Sequence, residues 1–216
     1  MEPATVRSRA GRPRATRGST GRDPREEILD AAAALFVENG YAATTTRAIA
    51  ERTGIRQASL YYHFAGKEEI LAALLEQTVR PSVDVARSLR ADDRLSPAAA
   101  LHRLAVYDVE ALAAAPHNVG TLYLSPEARH ERFAGFRAAR RELRDAYGAL
   151  AEEALADALR GTWRADELGA VIIHLVEIAI TLRNDGDPVD AEHVADACLR
   201  VCGLHEDAIA AARAAG

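Results

Sequence analysis

The sequence predicts an all-α protein, with an N-terminal three-helix helix-turn-helix domain followed by a larger helical domain. Alanine accounts for 47 of the 216 residues, whereas Phe, Tyr and Trp number only 4, 6 and 1. Alanine is the best helix former and aromatic residues favour strands, so this composition favours helices. Apolar residues also recur at helical spacing along most of the chain, and the alternation typical of a strand persists nowhere.

Composition and charge limit the class of protein. Apolar residues make up 49% of the chain, which is enough for a hydrophobic core and excludes a wholly disordered protein. The formal charge of −5 is unevenly divided, because residues 1–67 carry +4 and the remainder carries −9. A basic front end on an acidic body indicates that the N-terminal part has an anionic polymer or surface as its partner.

The N-terminal segment and the apolar runs bear on localisation. Residues 1–22 are rich in Arg, Gly, Ser and Thr without periodicity, which predicts a flexible tail. The most apolar run, 171–180, is short and contains His174 and Glu177, so no secretory or membrane segment is expected. Cys198 and Cys202 lie in a helical segment and indicate buried thiols in a reducing compartment. We therefore expect a cytoplasmic protein.

Helix signals divide residues 23–80 into four helices. Asp23, Pro24 and Glu26 form a cap, a first-turn proline and a capping-box partner, and Gly40 ends the first helix. Thr44 is the expected N-cap of a second helix, which Gly54 stops. The predicted segments are 24–39, 44–53, 56–64 and a longer amphipathic stretch that Lys67 opens ahead of Pro81.

The second half, residues 81–216, continues with longer helices. A Ser or Asp followed by proline is typical of a helix start, with the Ser or Asp as the N-cap and the proline as the first helical residue. This pair predicts helices over about 97–115, 126–160 and 188–204. The segment 166–183 is apolar nearly all round and must be covered on every side. We expect it to pack with the helix after Asp187 against the same two helices of a second copy, so that four helices form the dimer interface, called the seam below. Val176 and Val201 are expected to lie in this seam.

The two short helices joined at Gly54 fit a helix-turn-helix whose second helix enters the DNA major groove. Ile49, Ala50 and Leu60 are spaced to pack the two helices together, and Gly54 supplies the left-handed backbone of a sharp stop. Polar side chains at the start of the second helix reach bases and phosphates in such a unit. The DNA contacts predicted on and after the second helix are Arg56, Gln57, Ala58, Ser59, Tyr61, Tyr62, His63 and Lys67.

Residues 28–71, which include NGYAATTTRAIAERTGIRQASLYYHFAGKEEIL, resemble the DNA-binding domain of TetR-family transcriptional regulators. By that resemblance Thr45, Thr46 and Arg47 meet the DNA backbone and sometimes a base, and His63 and Lys67 bind phosphates. The base-reading and methyl-contacting positions of the family correspond to Gln57, Ala58, Ser59 and Tyr61, and Thr44 is also expected to contact DNA. Two residues depart from the family pattern. Arg56 replaces a small hydroxyl residue and so loses a helix cap, and Gly66 stands where a Ser or Asp usually caps the next helix. For Tyr62 a role in the core remains an alternative.

The resemblance also implies that residues 81–216 dimerise and bind a small-molecule effector. We expect a mostly apolar effector within the helices of residues 97–183, held by a few polar anchors. Each of these anchors is alternatively an ordinary amphipathic residue, and His174 with Glu177 favours a buried hydrogen bond or a seam contact over a metal site. The candidates are His102, Tyr107, His117, Tyr123, Trp163, His174 and Glu177.

The sequence argues against two other classes of protein. An enzyme would need a nucleophile elbow, a phosphate-binding loop or a zinc-protease motif, and the sequence has none of these. An architectural protein without an effector would have a filled C-terminal core with no polar residues, which His174 and Glu177 argue against. The expected function is sequence-specific DNA binding as a transcriptional repressor released from double-stranded operator DNA by an effector, without a cofactor or a metal.

Overall fold

The computed structural model describes residues 23–123 and 125–215, so the predicted tail, 1–22, lies outside the described residues. The described part contains helices and no strand, which confirms the all-α fold class. The α-helices are α1 (Pro24–Asn39), α2 (Thr46–Thr53), α3 (Gln57–His63), α4 (Lys67–Arg90), α5 (Pro97–Ala114), α6 (Ala134–Ala154), α7 (Ala165–Asp185), α8 (Ala191–Val201) and α9 (Glu206–Ala214). Short 3-10 turns lie at Val119–Leu122, Pro126–Arg129, Glu131–Phe133 and Asp157–Leu159.

Helix α1 begins and ends where the sequence predicts. The Asp23 side chain accepts a hydrogen bond from the backbone N–H of Arg25 at 2.9 Å, and Gly40 follows the last turn with φ of +81°. Ile28, Ala32 and Phe36 are buried on one face of α1. This face packs against α2 and α4 and forms the core of a small N-terminal unit.

Helix α4 is longer than the sequence predicts, because it continues through Pro81 to Arg90. A proline inside a helix removes one backbone hydrogen bond and usually bends or ends the helix. Here Ser82, Val83 and Ala86 beyond the proline are buried in the body, and this burial outweighs the local cost. One helix therefore runs from the N-terminal unit deep into the C-terminal body.

The single helix predicted over 126–160 is wrong. Two 3-10 turns occupy 126–133, and α6 runs only from Ala134 to Ala154. The broken start places Ala128 and Phe133 in the core, where both are at most 3% exposed. At the other end Leu155 takes an extended backbone, and the N–H of Ala156 donates to the carbonyl of Cys202 at 2.9 Å.

The last long helices shift slightly from their predicted bounds. Helix α7 covers Ala165–Asp185, and α8 begins at Ala191 because Asp190, not Asp187, accepts the capping bond from the N–H of His193 at 3.0 Å. Cys198 and Cys202 are fully buried, and burial raises the pKa of the two thiols to about 12 and about 11. Among the described residues, no helix combines the length and apolar character needed to cross a membrane.

Two glycines bring α6 and α7 unusually close together. A Cβ atom on Gly148 would lie 2.2 Å from the carbonyl oxygen of Ala165, and one on Gly169 would lie 2.3 Å from that of Arg144. Both neighbours are backbone atoms that cannot swing aside. The two helices therefore pack backbone against backbone at this point, which holds the body together beside its apolar core.

Candidate DNA-binding interface and effector cavity

The turn between α2 and α3 has the geometry of a helix-turn-helix. Gly54 adopts a left-handed backbone, with φ of 77° and ψ of 19°, and its N–H bonds to the carbonyls that end α2. Ile49, Ala50 and Leu60 are at most 2% exposed and join the two helices to the core of the N-terminal unit. The packing of α2 against α3 through these three residues is therefore the one that the sequence predicts.

Two adjacent threonines have different roles at the start of α2. Thr45 is the N-cap, because its side chain accepts a hydrogen bond from the N–H of Ala48 at 3.1 Å. Thr44 is only 3% exposed, and its hydroxyl donates to the carbonyls of Leu35 and Gly40 at 3.1 and 2.9 Å. The prediction of Thr44 as the N-cap is wrong, and its burial leaves it supporting the loop between α1 and α2 rather than facing DNA.

The first turn of α3 presents an exposed polar surface. Gln57 donates from Nε2 to the hydroxyl of Thr46 at 3.0 Å, and the same hydroxyl bonds to the Tyr61 hydroxyl at 3.1 Å. This network fixes the direction of Gln57 before any contact with DNA. Arg56 is the N-cap residue and makes no side-chain cap bond, as expected from its substitution for a hydroxyl residue. Ala58 and Ser59 are exposed beside them.

The aromatic cluster at the end of α3 faces solvent. Tyr61 is 50% exposed and Tyr62 is 86% exposed, so the alternative that Tyr62 belongs to the core is wrong. The half-buried His63 lies edge-on to the Tyr62 ring, with centroids 5.2 Å apart. On α2, the exposed Arg47 forms an ion pair with Glu51 at 2.8 Å.

Lys67 is bonded within the protein. Its ammonium donates to the carbonyls of Tyr41, Ala42 and Thr44 at 2.9, 3.3 and 3.0 Å and lies 4.3 Å from the centre of the Tyr41 ring. These contacts occupy its three N–H donors. They tie the first turn of α4 to the loop before α2, a role that sequence spacing alone did not indicate.

A cavity of about 520 Å³ lies where the N-terminal unit meets the body. Two of the predicted anchors, Tyr107 and His117, line it, and His117 reaches across to Asp30 of α1 at 3.2 Å. Other walls come from α4, the end of α5 and Arg183, whose guanidinium donates to the carbonyls of Leu112 and Ala115. Its apolar lining includes Leu29, Ala33, Leu74, Pro81, Ala111, Leu112, Pro116 and Val119.

The other predicted anchors do not converge on this cavity. Tyr123, His174 and Glu177 line a separate groove of about 490 Å³ along α7. His102 is only 3% exposed and pairs with Asp196 of α8 at 3.3 Å, so its prediction as an effector anchor is wrong. Trp163 lies in the turn before α7 and is 36% exposed.

Of the two alternatives predicted for His174 and Glu177, the buried hydrogen bond is wrong, and the seam contact stays a prediction. His174 is exposed, with Nδ1 lying 2.6 Å from the carbonyl of Ala170, so it makes no buried hydrogen bond with Glu177. Glu177 instead binds Arg140 of α6 through two hydrogen bonds of 2.8 and 2.6 Å. This bidentate pair is a second link between α6 and α7 beside their glycine contact.

The body contains a buried polar cluster that the sequence did not predict. Asp108 on α5 accepts hydrogen bonds from the Ser82 hydroxyl at 2.6 Å and from the Tyr147 hydroxyl at 3.0 Å. Burial raises the pKa of Asp108 to about 6, although both hydrogen bonds oppose the rise. The one signal in the sequence is that Asp108 stands on the apolar stripe of α5 with Leu101, Leu104 and Leu112.

The exposed first turn of α3 and the geometry of its turn define a helix-turn-helix DNA-binding protein. Residues 28–74 match the family model "Bacterial regulatory proteins, tetR family". The HTH-type transcriptional repressor KstR2 of Rhodococcus jostii is 34% identical over 155 residues, which cover 70% of this chain and 72% of that protein. This protein therefore belongs to the TetR family of transcriptional regulators, and it is not an enzyme.

Solved structures agree with this assignment over most of the chain. The crystal structure of Mycobacterium smegmatis AmtR is 43% identical, with a TM-score of 0.80 over 90% of this chain and 94% of that one. The structure of the ketosteroid transcriptional regulator KstR2 of Mycobacterium tuberculosis is 26% identical, with a TM-score of 0.67 over 83% of this chain and 93% of that one. The likeness therefore includes the helical body as well as the N-terminal unit.

Proposed function

We propose that this protein is a homodimeric repressor that binds a near-palindromic operator and leaves it when a small molecule binds. The observation that carries the proposal is the exposed first turn of α3, where Gln57 is held in position by Thr46 and Tyr61. Preorganised polar side chains at this point of a helix-turn-helix read base edges. Repression is supported by the relatives, since KstR2 of Rhodococcus jostii is named a transcriptional repressor.

The DNA-binding domain comprises residues 23–80 and the effector-binding and dimerisation domain residues 81–216. Arg47, Arg56 and Gln57 are the proposed base readers. In a dimer, one α3 enters each half-site, and the half-site centres lie about 34 to 36 Å apart or a multiple of that distance. The proposed backbone contacts are Thr45, Thr46, Ser59, Tyr61, Tyr62 and His63, with Ala58 positioned to contact a thymine methyl group.

The dimer surface proposed here is the outer face of α7. Val171 and Ile178 on this helix are 36% and 42% exposed, so their apolar side chains are available to a second copy. Val176, which the sequence predicted in the seam, is fully buried within one chain and does not lie on that face. Val201 of α8 is half-buried and stays a candidate at the edge of the seam.

We assign the effector to the cavity between α1 and the body. Its walls belong to both domains, so an occupant contacts Leu29 and Ala33 of the DNA-binding domain on one side and Tyr107 and Ala111 of the other domain on the opposite side. A ligand shifts an equilibrium only if its affinity differs between the two states. A molecule in this cavity meets that condition, because its contacts change whenever α1 moves relative to α5.

The test of DNA recognition is a comparison of Gln57→Ala with the unchanged protein on the operator and on its single base-pair variants. We expect Gln57→Ala to lose discrimination at one base pair per half-site, by roughly 1 to 3 kcal/mol. Arg52→Ala is the control, because Arg52 lies on α2 but is directed to Glu38, 3.2 Å away. Equal weakening on every sequence would contradict base reading by Gln57.

A further inference from the structure

A groove of about 220 Å³ on the body is lined by five arginines. Four of them, at positions 137, 140, 141 and 144, belong to α6, and Arg129 comes from the 3-10 turn before it. Since each residue advances a helix by about 100°, the four occupy a sector of only about 100° on α6. Glu142 of α6 lies outside this sector and pairs with Arg87 of α4.

The positive charge in this groove is only partly neutralised. Glu177 pairs with Arg140, and Asp145 with Arg144 at 2.9 Å. Arg137 donates to the neutral carbonyls of Ala128 and His130 at 3.0 and 2.6 Å, so it keeps its charge and is held in place. Among the described residues, Arg129 and Arg141 have neither an ion pair nor a hydrogen-bond partner for the side chain.

The floor of the groove is apolar and aromatic. Tyr123 and Phe136 line it, with ring centroids 5.2 Å apart, and Ala128 completes it. The hydroxyl of Tyr123 is directed away to Thr78, to which it donates at 2.6 Å. Guanidinium groups around an apolar floor suit a molecule with a carboxylate or phosphate head and an apolar body.

We propose that this groove binds a small organic anion, with a carboxylate or phosphate held between Arg129 and Arg141 and the apolar part against Tyr123. Arg137 supplies a further fixed positive charge, because its two partners are neutral carbonyls that orient it. This site is distinct from the cavity between α1 and the body, and the binding does not depend on operator recognition. A carboxylate and a phosphate share the recognition chemistry, and the experiment separates them.

The experiment is calorimetric titration of the full-length protein with sodium benzoate and with phenyl phosphate at constant ionic strength. Benzyl alcohol serves as the neutral analogue and acetate as the anion without an aromatic body. We expect saturable binding of one or both aromatic anions at one site per chain, at least about tenfold tighter than acetate, and no binding of benzyl alcohol. The stronger of the two anions identifies the preferred head group.

Variants then place the binding in the groove. Arg129→Gln and Arg141→Gln remove guanidinium groups that have no partners, so the fold stays intact. Each variant is expected to lower the affinity for the anion by about tenfold. Arg160→Gln is the matched control, since Arg160 is an exposed arginine paired with Asp157 in a different turn. The proposed site would be wrong if both groove variants kept the affinity for the anion, or if Arg160→Gln lost as much affinity as they do.

Two further outcomes also overturn the proposal. If benzoate and acetate bind with equal affinity, the groove is a plain charged surface and not an organic-anion site. If Arg129→Gln and Arg141→Gln lower operator affinity and its salt dependence while no anion binds, these arginines contact DNA phosphates instead.

Discussion

Asp108 is a buried carboxyl whose titration affects the stability of the whole body. Burial raises its pKa from 3.8 to about 6. Between these two values the folded protein binds more protons than the unfolded chain, so the free energy of unfolding falls as the pH rises through about 4 to about 6. Asp108 therefore contributes stability in its neutral form and costs stability when ionised.

Asp108→Asn is expected to remove this pH dependence, because an amide keeps partners for Ser82 and Tyr147 without ionising. The difference in unfolding free energy between the two proteins should change by an amount on the order of 3 kcal/mol between about pH 4 and about pH 7.5, in favour of the variant at the higher pH. Urea denaturation at a series of pH values measures it. Parallel pH profiles for the two proteins would show that Asp108 titrates normally.

Lys67 links α4 to the loop that precedes α2, so its replacement should lower the free energy of unfolding. Lys67→Met keeps the apolar stem but loses the bonds to three carbonyls, which should cost about 1.5 to 3 kcal/mol of unfolding free energy. Chemical denaturation gives this value, and the salt dependence of operator binding gives the second readout. Unchanged stability with a salt slope reduced by about one would instead support the phosphate contact predicted from the sequence.

At the scale of single elements, the contact between α6 and α7 admits no added side-chain atom. Gly169→Ala would place a Cβ within 2.3 Å of the Arg144 carbonyl, so the helices must separate, at an expected cost of about 1 to 3 kcal/mol in unfolding free energy. Gly135→Ala is the control, since its Cβ would meet only the flexible carboxylate end of Glu76. Thermal or urea unfolding of the two variants compares them directly, and equal stability would contradict the close packing.

The elements that sequence reasoning predicted well are those controlled by local chemistry. Asp23 with Pro24, Gly54, and Ser96 with Pro97 each set a helix boundary through caps or backbone geometry within a few residues, and the structure places boundaries there. The failures depend on distant contacts. Helix α4 continues through Pro81 because residues beyond it are buried, and 126–133 breaks into turns because Ala128 and Phe133 reach the core.

The same distinction applies to the candidate site. The exposed polar turn at 56–59 follows from its position on a short helix, and sequence spacing was sufficient to find it. The roles of Thr44, Lys67 and His102 depend on partners nine to 94 residues away, at Leu35, Tyr41 and Asp196. No local pattern encodes such partners, so their burial and bonding appear only in the fold.

At the scale of the whole molecule, the outer face of α7 determines whether two copies associate. Ile178→Glu places a charge on an exposed apolar position of the proposed seam and should yield monomers that no longer bind operator DNA, because burying an unpaired charge is costly. Val37→Glu is the control, since Val37 is 38% exposed on α1 of the N-terminal unit. Light scattering gives the mass of each variant. A dimeric Ile178→Glu protein would move the seam to another surface.

The coupling between effector and operator should pass through the cavity that α1 and the body share. Ala111 is exposed and lines this cavity, whereas Ala114 is exposed on the same helix, three residues on, and does not line it. Ala111→Trp should fill the cavity and abolish both the binding and the operator release by a compound selected from a thermal-shift screen. Ala114→Trp should leave both intact.

In the unchanged protein the effect must be reciprocal. A compound that lowers the affinity for operator tenfold requires about 1.4 kcal/mol of coupling free energy. Saturating operator must then lower the affinity for the compound tenfold as well. Titrations of the compound with and without operator DNA measure this factor. An affinity that is indifferent to operator, or a release that persists in Ala111→Trp, would show that the compound acts elsewhere and that this cavity is not the origin of the switch.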